Sequence, residues 1–250
     1  MKAKELVELA GDPRFISGIY NYCDRWCVRC NFTSRCLTYE QLPESSKSDD
    51  PATHDLNNAK FWEELRGIFN ETREMIEEFA AEQGIDLKSV EAEAAIEEHR
   101  ERRKSAREKR LTRVAEHYIH MAMEWLNREE NDLEEAAQFD EAVRDALEII
   151  RWYQFMPAVK IARGFMRNDL GVEEDAIQND SNGSVKVALI AIDRSIAAWG
   201  KLKSFLPEKA GGILPILAHL ETLRRHTERA FPDARDFIRP GFDEVTEHVM

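Results

Sequence analysis

From Lys60 onward, apolar residues recur at three- and four-residue steps, the spacing that lines one face of an α-helix. In FWEELRGIFNETREMIEEFAAEQG that face is Phe61, Leu65, Ile68, Phe69, Met75, Ile76 and Phe79, with Gly84 as the predicted C-terminal stop. The next stretch, VEAEAAIEEHRERRKSAREKRLTRVAEHYIHMAMEWLNREE, is charge and alanine in its first half. Its second half sets Leu111, Val114, Tyr118, Met121 and Trp125 at helical spacing. It predicts one long helix or two, with a solvated N-terminal part. DEAVRDALEIIRWYQFMPAVKIARGFM predicts another helix, which Pro157 kinks or divides. SVKVALIAIDRSIAAWGKLKSFL is apolar almost all round and predicts the most buried helix. Pro207 and Gly211-Gly212 separate it from ILPILAHLETLRRHTERAF, and PDARDFIRPGFDEVTEHVM predicts an irregular, then briefly helical tail.

Period-two runs and hairpin signals are lacking, so the predicted class is all-α. The last four strong helices suit an antiparallel helical bundle, with the helix from residue 60 beside it. AKELVELA predicts a short N-terminal helix ending at Gly11-Asp12-Pro13. The predicted organisation is a cysteine-rich module over residues 1–43, a polar linker over 44–57, the bundle over 58–231 and a tail over 232–250.

Charge narrows the partners. The chain has 250 residues and a formal net charge of −13, so phosphate backbones and anionic membrane surfaces repel it. General nucleic-acid binding is disfavoured, and a protein partner is left open. The basic stretch HRERRKSAREKRLTR, residues 99–113, predicts a solvated helix face. It has no interleaved aromatics for base stacking; RNA or an acidic partner is the alternative. No signal peptide and no membrane-length apolar run is visible, which predicts a cytoplasmic protein.

All four cysteines fall in CDRWCVRCNFTSRC, spaced Cys23-x3-Cys27-x2-Cys30-x5-Cys36. In a reducing compartment such clustering favours a metal over disulfides. Four thiolates suit tetrahedral Zn²⁺ or a four-iron cluster. Arg25, Arg29 and Arg35 interleave with them and would offset thiolate charge, and Trp26 and Phe32 would shield a cluster from water. A centre closed by four protein thiolates is structural, electron-transferring or sensing rather than a Lewis acid.

Cys23, Cys27 and Cys30 also fit the C-x3-C-x2-C spacing of radical SAM enzymes. The chain lacks the strands and glycine-rich segment of that fold. Over about sixteen residues, CVRCNFTSRCLTYEQL resembles the cluster-binding segment of WhiB-type iron–sulfur proteins and the auxiliary-cluster cysteines of SPASM domains. The resemblance implies Cys27, Cys30 and Cys36 as ligands of a [4Fe–4S] cluster, with Cys23 the fourth. It implies cluster chemistry and not DNA-binding regulation, because the glycine-tryptophan turn and basic tail of WhiB-type proteins are absent.

A second candidate lies in AEHYIHMAMEW, where Glu116 and His120 are four apart and His117, His120 and Glu124 share a flank. With Glu148 and Asp193 from later helices they would form a di-metal site inside a bundle. His219 and Glu221 could add ligands. The alternative is ordinary surface ion pairing, for example Glu148 with Arg144 or Arg151. Asp193-Arg194 is a charged pair inside an apolar helix and needs partners. It either shares a polar stripe with Lys186 or joins a network with Trp152, Tyr153 and Gln154. Asp180 or Ser184 is the expected N-cap of that helix, and an anion site at NDSNGS is the alternative.

The leading expectation is therefore a [4Fe–4S] protein in a redox, sensing or electron-transfer role. A zinc-stapled interaction protein and a bundle-based di-metal enzyme are the alternatives.

Overall fold

Helix accounts for every regular element among the described residues, as the lack of period-two runs predicts. The computed structural model describes residues 8–42, 58–168, 171 and 175–243. The predicted linker over 44–57 lies outside them, as do the start of the N-terminal helix and the end of the tail. The α-helices, in chain order, are α1 (Leu37–Glu40), α2 (Ala59–Glu82), α3 (Val90–Glu108), α4 (Arg110–Arg128), α5 (Glu130–Phe139), α6 (Glu141–Tyr153), α7 (Met156–Asn168), α8 (Asp180–Phe205) and α9 (Ala210–Ala230). No helix among the described residues is long and apolar enough to cross a membrane.

The chain divides into two units. One comprises residues 1–20 and 27–99, the other residues 21–26 and 100–250. In the first, α2 ends two residues before Gly84, as the sequence predicts. Most of the apolar face of α2, including Trp62, Ile68, Phe69, Ile76 and Phe79, is exposed. Ile16 N–H donates to the Arg35 carbonyl at 3.0 Å, which ties the two N-terminal segments of this unit together.

The second unit is built around α8, which packs most extensively on α7, then on α6 and α9; α4 lies against α9 and α7. Val185, Ala188, Leu189, Ile192, Trp199 and Leu202 of α8 are fully buried, as the all-round apolar pattern predicts. Trp199 meets Trp125 edge-on at 5.1 Å, and its indole N–H donates to the buried Tyr118 hydroxyl at 3.1 Å. That bond satisfies the one polar atom of a large side chain removed from water.

Boundaries follow local chemistry. Asp140 caps α6, its Oδ1 accepting from Ala142 N–H at 2.8 Å and Val143 N–H at 3.4 Å. Pro157 divides the predicted long helix: α6 stops at Tyr153, and the proline sits in the first turn of α7. The basic stretch also breaks, at Lys109, and the buried Thr112 hydroxyl ties the junction by donating to the Ala106 carbonyl at 2.8 Å.

Helix α5 is anchored on the core by the buried Leu133, with Ala136 and Ala137 packed beside it. Two expectations are corrected. Helix α8 starts at Asp180 under an Asn179 cap, with Asn179 Oδ1 accepting from Asn182 N–H at 2.7 Å, so neither Asp180 nor Ser184 is the cap. Its first turns run through Ser181-Asn182-Gly183, ahead of the helix predicted from Ser184. Gly211-Gly212 lies inside α9 rather than before it. A side chain on Gly212 would overlap the Trp125 indole, so close helix approach offsets the roughly 1 kcal/mol helix cost of glycine.

Residues 231–243 are not a free tail. Phe231 and Ala234 pack on Val185 and Leu189. Gln178 pairs with the Ile238 backbone in both directions, at 2.6 and 3.0 Å.

Candidate functional site

The cysteine segment is made of short turns. Cys27–Arg29 forms a single 3₁₀ turn, closed by Cys30 N–H donating to the Cys27 carbonyl at 3.1 Å. Phe32 N–H then points at Cys30 Sγ, 3.4 Å away. A second 3₁₀ turn, Thr33–Arg35, delivers Cys36, whose extended backbone precedes α1. Arg29 and Arg35 are the closing residues of the two turns. No disulfide forms, and all four cysteines are partly buried. Cys27, Cys30 and Cys36 belong to the first unit and Cys23 to the second. Among the described residues, no group of three or more His, Cys, Asp or Glu side chains is gathered to hold a metal ion.

Cys23 sits in a strap, residues 21–26, that is held on the second unit by its neighbours. Asp24 is the centre. Its Oδ2 accepts from the Tyr153 hydroxyl at 2.5 Å and pairs with Arg194 Nη1 at 2.7 Å. Arg194 also contacts the Tyr153 hydroxyl. Burial, and then the Asp24 carboxylate, push the Tyr153 pKa well above its ordinary value, so the phenol keeps its proton and donates. Asp24 Oδ1 accepts from Trp26 N–H at 3.1 Å, and the Asp24 carbonyl accepts from Trp152 Nε1 at 3.0 Å. Trp26 stacks on Trp152 at 5.0 Å and 15°, and meets Tyr153 edge-on at 5.8 Å. To reach both groups the chain turns through Arg25 with φ 59°, a left-handed conformation that costs a non-glycine residue about 1 kcal/mol.

The strap's other end is anchored by Tyr22. Its hydroxyl donates to Asp180 Oδ1 at 3.1 Å and its ring lies 4.6 Å from Phe237. Burial, and then Asp180, raise its pKa to about 12. Arg163 and Arg167 hold Asp180 from α7 at 3.0 and 2.9 Å. Lys160 donates to the Asn21 carbonyl at 3.4 Å. Burial and then Arg163 lower the Lys160 pKa, while Cys23 opposes the shift, so this thiol lies within electrostatic reach of the ammonium group.

Asp193 and Arg194 separate between the two arrangements their sequence context suggests. Arg194 joins Tyr153, and the network extends to Asp24, which sequence reasoning missed because it lies 170 residues away. Gln154 stands apart, its buried Oε1 lacking a hydrogen-bond partner among the described residues. Asp193 instead faces the C-terminal segment, paired with Arg235 at 2.6 Å and Arg224 at 3.8 Å. Lys186, two turns earlier on the same face, pairs with Asp243 at 2.9 Å.

The four residues suggested for a di-metal site are placed as follows. Glu116 is half-buried, His120 and Glu148 are exposed, and Asp193 is engaged by its two arginines. Glu124 pairs with Arg128 along the helix at 3.8 Å. His117 touches the ring of His219 at 5.2 Å, and His219 Nε2 donates to the Val114 carbonyl at 2.8 Å. That bond fixes a tautomer and links α4 to α9.

Among the described residues the protein is all-helical, with residues 21–26, which include Cys23, strapped onto the second unit. No protein-family model, no curated protein and no solved structure matches the chain.

Proposed function

We propose that the chain is a thiolate metal protein, with Cys27, Cys30 and Cys36 as ligands, Cys23 as the fourth, and a helical bundle as the scaffold. The observation that carries the reading is the turn at Cys27–Cys30, with Phe32 N–H directed at Cys30 Sγ at 3.4 Å. Hydrogen bonds from backbone N–H groups to cysteine sulfur are one of the contacts that tune a bound cluster. The resemblance of this segment to WhiB-type and SPASM cysteines makes [4Fe–4S] the leading occupant, in a redox, sensing or electron-transfer role.

The test is anaerobic purification followed by iron, sulfide and zinc analysis. A cluster gives about four irons with sulfide and a broad absorption near ~400 nm. One stoichiometric zinc in colourless protein replaces the cluster by a zinc staple. Protein that holds neither metal, before or after reconstitution, refutes both. Iron that persists with all four cysteines changed to serine refers the metal to Glu116, His120, Glu148 and Asp193.

A further inference from the structure

The second unit contains a cavity of about 380 Å³ between α4 and α9, lined by Arg110, Leu111, Val114, His226, Arg229 and Ala230. Its chemistry is divided. Leu111, Val114 and Ala230 give an apolar wall, and the three remaining residues are two guanidinium groups and an imidazole. No carboxylate lines it. Among the described residues Arg110, His226 and Arg229 make no ion pair or hydrogen bond. Some other cations of this unit are paired: Arg224 and Arg225 with Glu221, Arg235 with Asp193, and Lys209 with Glu129. In a chain of net charge −13, acidic partners are plentiful. Three cations without a carboxylate partner among the described residues thus meet round one apolar recess.

Helix stability does not account for the arrangement. Arg229 suits the last turn of α9, where the helix dipole favours a cation. Arg110 opens α4, where the dipole disfavours one. The size is that of a small-molecule pocket, which runs from roughly 300 to 1,000 Å³.

We propose that this cavity binds a small organic anion with an apolar body, its carboxylate or phosphate held by Arg110, Arg229 and His226 and its hydrocarbon part against Leu111, Val114 and Ala230. Planar guanidinium groups match both headgroups through paired hydrogen bonds. The site uses none of the cysteines, so it stands whatever metal they hold.

The experiment is amide chemical-shift titration of the intact protein with four probes: hexanoate, hexyl phosphate, inorganic phosphate and 1-hexanol. Saturable shifts confined to residues 110–114 and 226–230 are expected with at least one of the two amphiphiles, and the tighter of them identifies the headgroup. Inorganic phosphate and hexanol should bind at least about tenfold more weakly, since each lacks half of the complementarity. Arg110→Gln and Arg229→Gln should each weaken the amphiphile about tenfold, the loss of one charged hydrogen-bonding group. Ala230→Trp should abolish binding by filling the recess while leaving all three cations in place. Thermal melts of the variants check that the helices persist.

Failure of both amphiphiles to bind at millimolar concentration overturns the proposal. So does unchanged affinity in both arginine variants. Hexanol binding as tightly as hexanoate removes the anion requirement, and inorganic phosphate binding as tightly as hexyl phosphate removes the apolar one; either result overturns it. A serine variant of all four cysteines that binds the amphiphile like the parent separates this site from the metal reading.

Discussion

Changing Tyr153 to phenylalanine tests the strap at its centre. The side chain is fully buried, and its ring contacts with Trp26 survive the substitution, so the loss is confined to one hydroxyl. That hydroxyl donates to the Asp24 carboxylate at 2.5 Å. A hydrogen bond to a charged group contributes about 1.5–3 kcal/mol. The lower end applies here, because Arg194 is 53% exposed and keeps its own pair with Asp24 at 2.7 Å. The expected loss is about 1.5 kcal/mol, which lowers the melting temperature of a unit this size by about 3–6 °C. Urea unfolding followed by circular dichroism measures it. Tryptophan fluorescence reports the Trp26–Trp152 stack in the same titration. A double-mutant cycle with Asp24→Asn isolates the pair, with an expected coupling of about 0.5–3 kcal/mol. An unchanged urea midpoint, or strictly additive losses in the cycle, would show that the hydroxyl does not hold the strap.

Gly183→Ala places a methyl group into the Tyr22 ring and against Phe237. It should cost about 1–3 kcal/mol in urea unfolding, as overpacking does, and a neutral result contradicts the close approach. Burial opposes ionisation of Asp243, yet Arg239 and Lys186 hold its carboxyl below the ordinary 3.8. A depressed folded value gives stability that is full above 3.8 and is lost as pH falls through the lower one. Asp243→Asn should flatten that acid limb of the stability curve, and an unaltered limb refutes the pairing. Burial, with His117 adding to it against the Val114 bond, lowers the His219 pKa from 6.5. Its imidazole should titrate below 6.5 by NMR, with stability falling as it protonates, and a midpoint above that value sinks the buried, hydrogen-bonded placement.

Local chemistry was legible in the sequence, and distant pairing was not. Asp140 announced the start of α6, and Pro157 the division that follows it, because caps and prolines act within a turn. The all-round apolar pattern of residues 185–202 identified the buried helix. Arg194 advertised that it needed a partner, and Tyr153 was among those suggested. Asp24 carried no signal, since nothing in NYCDRW says where a carboxylate will dock. The start of α8 misled for a related reason. Asn-Asp-Ser-Asn-Gly-Ser has turn composition, but Tyr22 and Phe237 bury it, and tertiary packing overrides local preference. For the cysteines, spacing marked the segment, but nothing in it showed that Cys23 would belong with the second unit and the other three with the first.

The separation between Asp24 and Arg194 also sets an order of events during synthesis. The strap leaves the ribosome first, and 170 residues separate it from the arginine that receives it. At translation speeds of about 5–20 residues per second, that interval is roughly ten to thirty seconds. Through that time the thiols of the N-terminal segment are presented to their surroundings without the Asp24 anchor. The nascent chain, rather than the finished fold with its partly buried thiols, is then the stage at which they are most open to reaction.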